Sequence, residues 1–145
     1  MTGTGRFVDG YLLYLLARAS SVASAEFHQE VRAQGVSIAV WRILASLKGT
    51  KKGLTVGELA HSCLAQQPAI SKTVEKLVIQ GLVERHADSG DRRRVWVRLT
   101  PAGEERADVL IAGAMAHQGR LLEALGPDNA DVLKTALTQL IDRAP

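Results

Sequence analysis

A single cysteine, Cys63, among 145 residues excludes an internal disulfide framework and suits a reducing cytoplasm. Aromatic residues make up only 4% and prolines number 4, a globular and helix-rich balance. Long hydrophobic runs are missing: the apolar segment Tyr11–Ala17 meets Arg18 after seven residues, far short of the roughly 20 needed to span a bilayer. With no signal peptide visible, a soluble, cytoplasmic protein that makes no use of a membrane is expected. Metal-ligand spacing is absent as well. His28, His61, His86 and His117 are scattered, and His61 and Cys63, two apart on a helix, point to different faces. That pair does not resemble a nucleophile with its base and no catalytic constellation appears, so the expectation is no enzyme, no metal and no cofactor. At this length one domain is the starting expectation, covering residues 1–145.

A strong charge imbalance is missing too, since the formal net charge is only +3. Its distribution is more informative than its size. Residues 66–98 hold seven Lys or Arg against four Asp or Glu, which is the whole excess, and the rest of the chain is balanced.

That basic segment contains the stretch around which the chain is organised, Leu82–Thr100. Leu82 and Val83 open one apolar arm, and Val95, Val97 and Leu99 alternate with Trp96 and Arg98 on the other, the period of a half-buried strand. Between them lies Asp88-Ser89-Gly90-Asp91-Arg92-Arg93-Arg94, turn formers followed by three arginines. A hairpin needs no such cations to close, so an anionic target is expected. Before the hairpin, Gln67 as N-cap and Pro68 as first helical position start a helix that Gly81 ends. Its inner face is Ile70, Val74, Leu77 and Val78; its outer face is polar and mildly basic. A helix followed directly by an arginine-tipped hairpin is the working half of a winged helix-turn-helix, with the helix for the major groove and the wing for a neighbouring groove.

The flanks have helical periods. Phe7 to Gln34 reads as one long helix, with Val8, Tyr11, Leu12, Leu15, Leu16, Ala19, Val22, Ala23 and Phe27 recurring. Leu13 and Tyr14 make its first half apolar nearly all round, which calls for cover from a second subunit. Ser37 caps a helix over Ile38–Lys48 that faces Trp41, Leu44 and Leu47 inward. Thr55-Val56-Gly57-Glu58 has the spacing of a capping box at the head of a third helix, ending near Cys63 or Leu64. Leu54 is a candidate lone strand residue pairing with the wing. Thr100-Pro101 starts a helix reaching about Leu125, and after Gly126-Pro127 a last one runs from Asp128 to Asp142. Residues 1–35 and 104–145 are thus expected to form a dimerisation layer, and 37–103 the winged helix-turn-helix.

The run GLVERHADSGDRRRVWVRLTPAG, Gly81–Gly103, resembles the signature of the MarR family of bacterial transcriptional regulators. The match lies in Gly81 to Val83 with Arg85, in Asp88 with Asp91 to Arg93, and in Val97, Leu99, Thr100 and Gly103. The flanking helices match the family by order and length. The resemblance implies a mainly α (α+β) homodimer that binds pseudo-palindromic double-stranded DNA, most simply a repressor released by a small aromatic or carboxylate effector. An activator or a regulator without ligand is the alternative, and a winged helix used for protein contacts is the rival from another class.

The expected DNA contacts are Gln66, Gln67, Ser71, Lys72 and Thr73 at the N-terminal half of the helix, where Gln suits adenine and Lys suits guanine. Lys76 is placed for the backbone, while Glu75 and Ile79 suit DNA less. In the wing, Arg93 is expected in a narrow minor groove, oriented by Asp91 as the family's Asp-x-Arg pair implies, with Arg92 and Arg94 on phosphates. Arg85 and Arg98 either join them or pair with Glu84. Tyr14, Arg18 and Trp41 are the candidate effector pocket, where relatives often bind phenolic or carboxylate ligands; an intersubunit salt bridge explains Arg18 equally well. Some relatives sense oxidants through a cysteine in the first helix, where this chain has none, and Cys63 reads as a buried small hydrophobe.

Overall fold

The computed structural model describes residues 5–144. A 3₁₀ turn, Phe7–Gly10, precedes α1 (Leu12–Ala33) and α2 (Ile38–Leu47); β1 (Leu54–Thr55), α3 (Val56–Ser62) and α4 (Gln67–Ile79) follow. The hairpin is β2 (Val83–Ala87) with β3 (Val95–Leu99), and α5 (Pro101–Leu125) and α6 (Pro127–Ile141) complete a mainly helical chain with one small sheet.

Two bodies are distinguished, residues 24–112 and, separately, residues up to Ala23 together with those from Gly113. The larger body has a continuous core. Ile43, Leu44 and Leu47 of α2, Leu59 of α3, Ile70, Val74 and Leu77 of α4, Val83 of β2, Val97 of β3 and Leu110 of α5 are all buried. The i, i+4, i+7 spacing of the α4 trio gives that helix one inner face and leaves Pro68, Lys72, Glu75, Lys76 and Ile79 outside. In strand order β1-β3-β2, all neighbours antiparallel, Leu54 lies opposite Val97, and Val83, Arg85 and Ala87 lie opposite Leu99, Val97 and Val95. Leu54 therefore does pair with the wing, in a two-residue strand.

Two glycines are fixed by close backbone approach. A Cβ on Gly103 would stand 1.9 Å from the Leu82 carbonyl oxygen, so the start of α5 can cross the root of the hairpin only without a side chain there. Thr100 locks the same crossing, its hydroxyl donating to the Gly81 carbonyl at 2.6 Å and accepting the Gly103 N–H at 3.1 Å. Gly53, at φ +85°, brings the chain against β3 where a Cβ would lie 2.0 Å from the Val97 carbonyl oxygen. The two ends of the Gly-Leu-Val to Leu-Thr-x-x-Gly pattern thus meet in space.

Four expectations need correction. The first helix does not begin at Phe7. Gly10 is a weak helix former, and Tyr11 takes an extended conformation (φ −81°, ψ 120°) between the 3₁₀ turn and α1, although Val8 and Tyr11 keep the helical period. Gln66, not Gln67, is the N-cap of α4, without a side-chain capping bond, so Pro68 is the second helical residue; any position in the first turn tolerates the missing N–H. At the head of α3, Thr55 accepts the Glu58 N–H at 3.2 Å, but the Glu58 carboxylate accepts the Thr55 hydroxyl at 3.0 Å instead of a backbone N–H. Thr55 is also the last residue of β1, so its backbone belongs to the sheet edge. Finally, α6 begins at Pro127, with Gly126 at φ 84° as its cap, and ends at Ile141.

The smaller body leaves apolar surface open. Phe7, Leu12, Leu13 and Leu15, and Val132 and Ile141 of α6, are exposed. Among the described residues no helix is long and apolar enough to cross a membrane.

Candidate nucleic-acid interface

The wing tip is an ordered loop. Its backbone closes through Asp88 N–H to Arg94 O (2.8 Å) and Arg94 N–H to Asp91 O (3.0 Å). Two aspartates shape the turn between those bonds. Asp88 Oδ2 accepts the Asp91 N–H at 3.1 Å, and Asp91 Oδ1 accepts both the N–H of Arg93 at 3.0 Å and its side-chain Nε–H at 3.3 Å. Asp91 therefore orients Arg93, whose side chain is 93% exposed: the guanidinium is anchored at its base and free at its tip. Arg92 is exposed and makes no ion pair among the described residues. Arg94 turns back, its guanidinium 5.0 Å from the centre of the Trp96 ring and 4.0 Å from the Glu58 carboxylate. At an exposed site a cation over a ring contributes about 0.5–1 kcal/mol.

Arg85 and Arg98 differ in fate. Arg98 donates from Nε to Glu84 at 3.0 Å and from Nη2 to His86 Nδ1 at 3.2 Å, and His86 Nε2 stands 2.8 Å from the Glu84 carboxylate. His86 and then Arg98 hold the Glu84 carboxyl below its ordinary range. Arg98 is thus a paired residue of the outer sheet face, whereas Arg85 is exposed and makes no ion pair among the described residues.

In α4, Gln66, Gln67, Lys72 and Lys76 are exposed, and Ser71 and Thr73 half-buried. The Thr73 hydroxyl donates to the Ala69 carbonyl of its own helix at 3.1 Å. Gln67 lies across the head of α3, its amide nitrogen 3.3 Å from where a Gly57 Cβ would stand. Gln67, Arg93, Arg94 and Val95 line one open groove of about 460 Å³ with Thr55, Val56 and Gly57. Two cationic forks and an amide therefore share one cleft between the wing and the helix-turn-helix, a donor-rich arrangement suited to polyanion backbone and groove edges. Ile79, 86% exposed, continues the outer face of α4 without a polar group.

The smaller body holds Tyr14, half-buried, and Arg18, exposed, and the larger body holds Trp41. The Trp41 ring meets Phe27 edge-on at 5.1 Å. Cys63 is 2% exposed, with its sulfur 3.7 Å from the Ser46 hydroxyl, and burial pushes its thiol up from the ordinary value. A thiol so placed is a poor nucleophile at neutral pH.

Sequence reasoning overlooked Glu58 as the carboxylate facing Arg94, and Trp96 and Asp88 as partners. Trp96 Nε1–H donates to Asp88 Oδ1 at 3.3 Å. Lys51 and Lys52, in the loop before β1, line a second cleft of about 260 Å³ with His86, Trp96 and Arg98. The alternation of Trp96 with Val97 was the one available signal, since it places Trp96 and Arg98 on one outer face.

The match to the MarR family model covers residues 34–94, from the end of α1 to the wing arginines. Over nearly its whole length the chain is similar to the crystal structure of a MarR family transcriptional regulator from Silicibacter pomeroyi DSS-3, with 42% identity and a TM-score of 0.82 across 94% of this chain and 97% of that one. It is 27% identical over 127 residues to the HTH-type transcriptional regulator FarR of Neisseria gonorrhoeae, covering 86% of this chain and 85% of that protein. It is also 32% identical over 101 residues to the HTH-type transcriptional repressor MdtR of Bacillus subtilis (strain 168), 69% of this chain and 64% of that protein. With the helix-turn-helix, the arginine-tipped wing and these likenesses together, the chain belongs to the MarR family of DNA-binding transcriptional regulators.

Proposed function

We propose that the protein is a cytoplasmic homodimeric repressor that reads a pseudo-palindromic operator in duplex DNA and is released from it by a small aromatic or carboxylate effector. Residues 37–103 form the DNA-reading lobe, and residues 1–35 and 104–145 the dimerisation helices. The outer face of α4 enters the major groove with Gln66, Gln67, Ser71, Lys72 and Thr73, while Lys76, Arg85, Arg92 and Arg94 meet backbone. Arg93 enters the minor groove, where a narrow A·T-rich width raises the negative potential. The observation that carries this reading is the exposed Arg93 guanidinium held at its base by Asp91. An ordinary solvated wing has no use for an arginine that is both tethered and presented.

Repression is supported by the likeness to MdtR, a protein described as a repressor. Dimerisation is supported by the exposed apolar side chains of α1 and α6. Selection of duplexes from a random pool by the purified protein tests the reading. A two-fold-symmetric consensus, bound with a steep salt dependence, is expected. Enrichment of no duplex would favour a protein-binding winged helix, and by linkage an effector that lowers DNA affinity must itself be bound more weakly by the DNA complex, by the same factor.

A further inference from the structure

Three adjacent arginines on a hairpin tip are costly to use. Each long side chain loses rotamer freedom when it docks, so a wing that fixes them beforehand binds more tightly with no added contact. In this wing the ordering converges on one side chain. Trp96 stands half-buried in β3 on the face opposite Val97, directly across from His86 in β2 and Thr55 in β1. Its edge and its face serve different arginines. From the edge, Nε1–H donates to Asp88 Oδ1 (3.3 Å), Asp88 Oδ2 accepts the Asp91 N–H (3.1 Å), and Asp91 Oδ1 accepts the Nε–H of Arg93 (3.3 Å). On the face lies the Arg94 guanidinium, 5.0 Å from the ring centre.

We propose that Trp96 is the positioning residue of the wing, setting Arg93 through the two aspartates and Arg94 by direct stacking before DNA arrives. The proposal rests on the DNA-binding reading of the wing and adds to it. Tryptophan alone combines an N–H donor at the ring edge with a wide π face. A leucine or valine would satisfy the strand pattern and offer neither. Because the arginines keep their charge when Trp96 is changed, the loss falls on well-placed binding to a preferred site, and general attraction to duplex DNA remains.

The test uses the full-length protein with two probes, a duplex selected from a random pool by the wild type and a random-sequence duplex of equal length. Trp96→Phe keeps a ring beneath Arg94 and loses the donor, and should raise Kd on the selected duplex about threefold; Trp96→Leu loses both and should raise it about tenfold. On the random duplex both should change Kd by less than about twofold, with the log–log salt slope within about one unit of wild type. Asp88→Asn, left with one acceptor oxygen for two donors, should reproduce the Trp96→Phe loss. In an Arg93→Ala, Arg94→Ala background Trp96→Leu should cost nothing more. The chain has 2 tryptophans, so in Trp41→Phe protein the single indole N–H resonance belongs to Trp96, and Asp88→Asn should shift it.

Several results would overturn the proposal: wild-type affinity in Trp96→Leu, equal losses on both duplexes, a loss that persists without Arg93 and Arg94, or an indole resonance indifferent to Asp88. If Trp96→Leu does not fold, Trp96→Phe and Asp88→Asn decide. A wild-type protein that selects no duplex removes the DNA-binding reading first and this proposal with it, an outcome distinct from intact binding that ignores Trp96.

Discussion

Arg93 and Asp91 form a pair whose parts have opposite electrostatic signs toward DNA, which makes them separable by mutation. Arg93→Ala removes a cation that displaces condensed counterions, so binding should weaken strongly and the log–log salt slope should become shallower by roughly one unit. Asp91→Ala removes a negative charge near DNA, which by Coulomb's law alone would tighten binding. A titration that finds weaker binding with Arg93 intact would show that orientation outweighs repulsion; tighter binding would mean that the hydrogen bonds to Arg93 do not matter for DNA. Glu84 supplies the pH dependence. Its carboxyl is held below the ordinary 4.5 by His86 and Arg98, so the stabilisation is present above the unfolded-state value and is lost as pH falls through the folded value. Glu84 and Arg98 are 47% and 42% exposed, so the effect is small and salt-sensitive. Melting curves should find Glu84→Gln slightly less stable than wild type at pH 7 and indistinguishable from it in acid; a difference that grows in acid would reverse the assigned sign.

At the scale of elements, the proposed DNA reading assigns specificity to α4 and stability to the root of the wing. Lys72→Ala or Ser71→Ala should cost roughly 1–3 kcal/mol on the selected duplex and much less on random DNA, if base edges are read. Equal losses on both duplexes would make them phosphate contacts. Gly103→Ala acts on folding instead. Its Cβ would stand 1.9 Å from the Leu82 carbonyl oxygen and 2.9 Å from its carbon, both backbone atoms, so α5 or the hairpin root must shift, costing roughly 1–3 kcal/mol in a denaturant titration. These elements were legible in the sequence because their signals are local: Ile70, Val74 and Leu77 at helical spacing, Val95, Val97 and Leu99 alternating, and Thr100-Pro101 opening α5. The break at Tyr11 was not, since Val8 and Tyr11 continue the apolar period and only the backbone records the interruption. Nor were the hydrogen bond of Trp96 to Asp88 and the ion pair of Glu58 with Arg94. The first depends on the hairpin register, and the second joins residues 36 positions apart that meet only once the sheet and α3 are assembled.

For the whole molecule, the decisive quantity is apolar surface left open. In the smaller body Leu12 is 54% exposed and Leu13 60%, and in α6 Val132 is 68% and Ile141 70% exposed. Large apolar side chains left open on terminal helices mark surfaces that another chain can cover. A second copy is the occupant we propose, because a two-fold interface needs only one self-complementary patch. Light scattering at micromolar concentration should therefore give about twice 15.6 kDa, and dilution should lower the melting temperature, since folding and association are then linked by mass action. Introducing a charge into the face, as in Leu13→Glu, should shift the mass toward the monomer. The same substitution should cost DNA affinity far more on a two-half-site duplex than on a single half-site, because the dimer gains its second contact at high effective concentration. A stable monomer in light scattering, or a Leu13→Glu variant that binds both duplexes as the wild type does, would remove the dimer and with it the symmetric reading of the operator.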